Sequence, residues 1–116
     1  MVYRRIGIRE IMLCLGVNIP EMDGLYDWRS QPITEAQKDF IHNLGVNITG
    51  IRYKGQASII ISTLVKRRDS GLATPKQLAY LLKTGKQFDF QHISKDEAGR
   101  IITKHIRENP DYNPYR

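Results

Sequence analysis

The feature that most constrains this chain is an internal repeat, because residues 33–107 contain one helical pattern written twice. Matched positions of the two copies stand 40 residues apart in the first helix and 41 residues apart in the second, as at Ala57 and Ala98. The second copy therefore has one extra residue in its loop. A unit of this size cannot bury its apolar face alone, and the two copies are therefore expected to stack on each other. The matched positions that stand 40 residues apart are Thr34 and Thr74, Gln37 and Gln77, and Gly45 and Gly85.

Capping residues and apolar spacing predict two helices in each copy. The segments Thr34–Gln37, Thr74–Gln77 and Ser94–Glu97 each match the capping box, in which a hydroxyl and a side chain three residues later satisfy free amides at a helix start. Apolar residues then recur at the i, i+3, i+4 and i+7 spacing of an amphipathic helix. In the last helix the residues expected to be buried are Ala98, Ile101, Ile102, His105 and Ile106.

A third, incomplete copy is expected at the N-terminus. The apolar spacing of residues 8–15 predicts a helix over residues 7–15, with Gly16 ending it. The five residues Leu15–Ile19 are also identical to Leu44–Ile48, which follow the first helix of the first full copy. The N-terminal helix is therefore interpreted as the first half of a truncated unit.

The sequence predicts an all-α fold of about five short helices, arranged as two tandem helix-extended-loop-helix units plus a partial N-terminal unit. In the connector, Trp28 is expected to anchor the segment on the helices, and the alternative is a base-stacking platform formed with Tyr26. All 116 residues are assigned to a single domain. Its parts are a partial unit at 1–17, a connector at 18–33, repeat 1 at 34–70, repeat 2 at 71–108 and a tail at 109–116.

Charge and cysteine content narrow the classes of partner and the compartment. The chain carries a net charge of +6, and the basic excess falls in residues 40–116, which include both repeats. Such a bias makes a polyanion, usually nucleic acid, the first partner to consider. One cysteine, Cys14, cannot form an internal disulfide, and the N-terminus has neither a signal peptide nor a membrane-spanning pattern. We therefore expect a cytoplasmic protein that does not contact membranes.

The sequence contains no pattern typical of a catalytic centre. The three histidines, His42, His92 and His105, lie on different elements and have no partner at metal-ligand spacing. No glycine-rich phosphate loop with a Gly-Lys-Ser/Thr ending is present. We therefore expect no metal, no cofactor and no enzymatic activity in this chain.

Basic residues are the candidate functional side chains. Lys54 and Lys95 each stand at the start of the second helix of a unit, where free amides favour an anion, although a merely solvated lysine is an equal alternative. The run Lys66–Arg68 ends a helix, where it either complements the helix dipole or contacts phosphates. The predicted nucleic-acid contacts are Lys54, Lys66, Arg67, Arg68, Lys76, Lys95, Arg100 and Lys104.

The repeat resembles two known modules. A short helix ending in Leu-Gly, a loop, and a helix begun by Lys-x-x-Ala resemble the helix-extended-loop-helix fold of SAP-type DNA-binding modules. A closer resemblance is to repeats in the C-terminal tails of phage and bacterial superfamily II (DEAD/DEAH-box) helicases, carried here by Thr34–Gln37, Leu44-Gly45, Lys54–Ser58 and Gly71–Gln77. That resemblance implies an accessory module that holds nucleic acid while a separate motor, in the same chain or another, hydrolyses ATP.

The sequence therefore predicts non-catalytic binding of DNA or RNA, with DNA favoured, through phosphates and with little base readout. The alternative is a protein-interaction module, such as a small phage regulator that docks on a host complex. In that case Ile59, Phe88, Phe90, Tyr26 and Trp28 would form an exposed apolar patch.

Overall fold

The computed structural model describes residues 6–22, 27–45, 48 and 50–111, and within them the fold is all-α, as the sequence predicted. A short 3-10 turn at Trp28–Ser30 precedes the second helix. The described residues form no strand, only two isolated antiparallel bridges. The helices, in chain order, are α1 at Ile8–Cys14, α2 at Glu35–Asn43, α3 at Lys54–Asp69, α4 at Pro75–Lys83 and α5 at Lys95–Glu108.

The helix pairs α2–α3 and α4–α5 are built by the same hydrogen bonds, so the sequence repeat is a structural repeat. In α2, the Thr34 hydroxyl accepts from the Gln37 amide at 3.1 Å, and Gln37 Oε1 accepts from the Thr34 amide at 3.1 Å. Thr74 and Gln77 repeat both bonds at 3.1 and 3.0 Å. At Ser94 only half of the predicted box forms, since the hydroxyl accepts from the Glu97 amide at 3.0 Å without a return bond among the described residues.

Each capping glutamine also joins the two helices of its unit. Gln37 Nε2 donates to the carbonyl of Lys54, the first residue of α3, at 3.4 Å. Gln77 Nε2 donates to the carbonyl of Lys95, the first residue of α5, at 3.2 Å. The side chain that begins one helix therefore also positions the start of the next.

The N-terminal helix ends as the first helix of each full unit does. The main chain turns left-handed at Gly16, Gly45 and Gly85, with φ of 74°, 79° and 74°, a conformation that favours glycine. The shared helix ending supports the interpretation of α1 as the first half of a third unit. Helix α1 packs against α4, and the core between the elements includes Ile8, Ile11, Met12, Ile41, Ile60, Leu78 and Leu81, none of them exposed.

The connector packs on the first turns of α3, where two residues accommodate it. A Cβ on Gly55 would collide with Met22 and would lie 2.8 Å from Arg29 Cβ, so only glycine fits there. The buried Gln56 accepts from the amides of Arg52 and Tyr53 at 3.0 and 3.2 Å and donates to the Pro20 carbonyl at 3.1 Å.

Two predictions of burial are wrong. Trp28 does not anchor the connector, since its exposed fraction is 54 %, and the anchoring role falls to the buried Met22. In α5 only Ala98 is fully buried, and Ile106 is 45 % exposed.

None of the helices in the described ranges has both the length and the apolarity needed to cross a membrane.

Candidate nucleic-acid interface

A pocket of about 350 Å³ lies where the two units meet. Its walls are apolar: Phe40 and Leu44 come from α2 and its end, Leu64 and Val65 from α3, and Leu72 from the loop before α4. We call this the seam pocket. It exists because the C-terminal ends of α2 and α3 approach the N-terminal ends of α4 and α5, so both units contribute to it.

Besides the buried Arg67, three of the sequence-predicted cations line the seam pocket. Arg68 comes from the last turn of α3, Lys76 from the first turn of α4, and Lys95 from the first residue of α5. All three side chains belong to exposed residues. The aliphatic part of Lys76 lies close to Gly45, since a Cβ there would be 3.5 Å from Lys76 Cδ. Residues far apart in sequence are thus brought to one place by the stacking of the units.

Further cations continue from the seam pocket along α5. A shallow depression on that helix is lined by Lys95, Arg100, Lys104 and Arg107, with Asp96 as the acidic member of the set. Lys104 also lies 4.0 Å from Glu108, an exposed pair that holds the side chain only weakly. Because Lys95 lines both depressions, the two are adjacent. We call the combined set the basic surface, and its cations are Arg68, Lys76, Lys95, Arg100, Lys104 and Arg107.

Arg67 is a structural residue rather than a surface cation, which corrects its assignment as a nucleic-acid contact. Only 8 % of the residue is exposed. Its Nη1 donates to the Gln91 carbonyl at 2.9 Å, and its Nη2 donates to the Ala73 carbonyl at 3.2 Å. Burial lowers the pKa of Arg67, but an arginine remains charged at neutral pH. The guanidinium therefore joins α3 to two loops of the second unit.

The remaining two predicted contacts lie outside the basic surface. Lys54 Nζ donates to Gln31 Oε1 at 3.0 Å, on the side of α3 that the connector covers. Lys66 is exposed and lines another depression, with Gln37, Ser62 and Asp69, which borders the seam pocket at Val65.

The predicted phosphate sites at helix starts are not supported in either unit. At α3, Met22 and Arg29 pack against Gly55, while Gln56 already satisfies the amides that precede the helix. At α5, Asp96 and Glu97 occupy the first turn, where their negative charge opposes a bound anion. The side chain of Lys95 still belongs to the basic surface, although the N-terminal end of α5 is not suited to bind a phosphate.

The apolar patch required by the protein-interaction alternative is largely absent from the described residues. Ile59, Phe88 and Phe90 are partly buried and pack against the core. Trp28 is exposed, and Tyr26 lies outside the described residues. The remaining exposed apolar residue near the N-terminus, Leu13, was not part of the predicted patch.

Two of the three histidines, His92 and His105, have local side-chain partners. Tyr80, which is buried, has its hydroxyl 2.7 Å from His105 Nδ1, and the two rings meet edge to face, as expected for a half-buried histidine on α5. His92 pairs with Asp89 at 3.0 Å on the exposed loop before α5. No group of three or more metal-ligating side chains converges within the described ranges.

Comparison with profiles of known protein families, with curated proteins and with solved structures gave no match for this chain.

Proposed function

We propose that this protein is a non-catalytic nucleic-acid-binding module whose basic surface contacts the phosphate backbone. The observation that carries the proposal is that Lys95 lines both depressions, which places cations of α3 and α4 next to those of α5. Phosphate contacts of this kind fix a protein on nucleic acid without reading sequence. Five of the eight sequence-predicted cations belong to this surface, namely Arg68, Lys76, Lys95, Arg100 and Lys104.

The length of the basic surface is suited to an extended polyanion. Helix α5 rises about 1.5 Å per residue, so its cations from Lys95 to Arg107 span roughly 18 Å. The seam pocket extends the surface beyond the N-terminal end of α5. A small anion would need only one or two of these side chains.

The biological setting follows from the sequence resemblance and is part of the same proposal. A module of this kind would assist a helicase of superfamily II, or other DNA-processing machinery, by holding DNA in the cytoplasm of a bacterial or phage-infected cell. The chemistry of ATP hydrolysis would then belong to the partner motor.

The proposal is tested by fluorescence anisotropy titrations of a labelled 15-nucleotide DNA strand and the matching duplex at several salt concentrations. We expect affinity to fall steeply with salt, because each neutralised phosphate releases counterions. Lys76→Gln and Lys95→Gln should each weaken binding at all sequences and lower the salt slope by about one. Lys54→Gln removes the same charge outside the basic surface and is the matched control, for which the slope should not change.

Two results would contradict the proposal. One is no detectable binding of either DNA form at low salt, and the other is an equal loss of affinity in Lys54→Gln and Lys76→Gln. Thermal unfolding of each variant separates loss of binding from loss of fold.

A further inference from the structure

The seam pocket is too apolar to be explained by phosphate contacts alone. Its volume of about 350 Å³ is large enough to hold a ring system, and its walls are mostly apolar. We propose that the seam pocket receives one unpaired base of a single strand, so that the protein prefers single-stranded to duplex nucleic acid. This inference rests on the proposed function and adds that the preferred nucleic acid is single-stranded.

Phe40 supplies the aromatic face that such a base requires. It is half-buried at the pocket wall, and it is the aromatic residue among those that line the pocket. Stacking of a base on an aromatic ring tolerates any sequence, because every base has a π-face. Leu64, Val65 and Leu72 complete an apolar slot, from which water is displaced when a flat ring enters.

The pocket also offers polar groups to the edge of a base. Arg67 lines the pocket, but it is buried and its guanidinium already donates to the carbonyls of Gln91 and Ala73. Base edges carry oxygen and nitrogen acceptors, and the amide of Asn43, which also lines the pocket, offers both a donor and an acceptor.

The distribution of charge favours a nucleic-acid strand over an acidic peptide as the occupant. Arg68, Lys76 and Lys95 line the pocket, and Arg100 and Lys104 continue the positive charge along α5. A strand with a base in the pocket carries a phosphate on each side of that base and further phosphates along α5. An acidic peptide would need an apolar anchor followed by a long run of carboxylates to use the same surface. A base within a duplex is stacked on both faces and cannot enter.

The test uses a 15-nucleotide strand with one central 2-aminopurine, and a duplex of equal length. Val65→Phe fills the pocket and Phe40→Leu removes its ring. The matched controls are Ile61→Phe, one turn earlier on α3 and outside the pocket, and Phe90→Leu, a half-buried ring elsewhere. The readouts are anisotropy with both probes and quenching of the 2-aminopurine by acrylamide.

We expect the bound 2-aminopurine to be protected from acrylamide, and Val65→Phe to abolish that protection. Both pocket variants should weaken single-strand binding at least about fivefold, the lower end of what loss of one base-stacking contact produces. Their duplex affinity, and both affinities of the two controls, should stay within about twofold of the unmodified protein.

Three results would overturn the inference. The first is equal affinity for strand and duplex with no protection of the base. The second is equal weakening of both DNA forms by the pocket variants. The third is competition for the pocket by an acidic peptide with a central leucine, while pocket variants leave single-strand binding unchanged. Failure of the proposed function is distinguishable from all three, because DNA would then not bind at all.

Discussion

At the scale of single residues, two neighbouring arginines have opposite roles. Arg67 is buried and donates to the carbonyls of Ala73 and Gln91, whereas Arg68 is exposed and its Nε lies 3.5 Å from Asp69. Adjacent positions on a helix point about 100° apart, so one faces the second unit while the other faces solvent. A run of three basic residues is therefore not one functional feature.

This difference predicts separable effects of substitution. Arg67→Met should lower the free energy of unfolding by about 2 kcal/mol, because the buried Ala73 carbonyl and the Gln91 carbonyl lose a charged donor. Arg68→Met should change stability by less than about 0.5 kcal/mol, since exposed ion pairs contribute little, but should weaken DNA binding. Urea unfolding and anisotropy titrations measure the two effects. Equal stability of the two variants would contradict the structural role of Arg67.

At the scale of elements, two helical glycines show how differently α3 and α5 are packed. Gly55 in α3 stands under Met22 and Arg29 of the connector, and a Cβ there has no space. Gly99 in α5 has Gln77 Nε2 as its nearest neighbour, at 3.7 Å from an added Cβ, which is ordinary contact. The connector therefore covers the start of α3, whereas the equivalent part of α5 carries the exposed Asp96.

The packing predicts that the same substitution, glycine to alanine, changes the free energy of unfolding in opposite directions at the two positions. Gly55→Ala should lower the free energy of unfolding by about 1–2 kcal/mol, because overpacking outweighs the better helix propensity of alanine. Gly99→Ala should raise the free energy of unfolding by roughly 0.5–1 kcal/mol, because alanine restricts the unfolded chain and fits the helix. Urea unfolding of both variants, monitored by circular dichroism, provides the measurement. Stabilisation by Gly55→Ala would show that the connector does not pack there.

At the scale of the whole molecule, stacking of the two units adds a cation of the first unit to a basic surface that the second unit mainly carries. Arg68 belongs to the first unit, whereas Lys76, Lys95 and the α5 cations belong to the second. The acidic member of the α5 depression, Asp96, opposes the field of its neighbours. Charges within one Debye length, about 8 Å at physiological salt, act together on a polyanion.

Removing this acidic residue should therefore strengthen binding. Asp96→Asn is expected to raise DNA affinity about twofold to fivefold at low salt, with the gain shrinking as salt rises. Glu21→Gln is the matched control, since Glu21 is an exposed carboxylate that pairs with Arg9 and Arg52 instead. Anisotropy titrations at two salt concentrations measure the change. An equal gain in both variants would mean that net charge, rather than the basic surface, governs binding.

The helices and their ends could be predicted from the sequence, because both depend on neighbours within a few residues. Thr34 with Gln37 and Thr74 with Gln77 satisfy amides of their own first turns, and Gly45 and Gly85 end the same helices without steric cost. Their recurrence at a fixed spacing also revealed two copies of one unit. Such local rules leave a pattern that can be found without coordinates.

Which side chains remain available at the surface could not be predicted from the sequence, because it depends on contacts between distant elements. The burial of Arg67 depends on the Ala73 and Gln91 carbonyls, and the exposure of Trp28 and Ile106 depends on where the other elements end. The seam pocket likewise exists only where two units meet. Burial depends on contacts between residues that are distant along the chain. Helical periodicity identifies the apolar face of a helix but does not show which element covers that face.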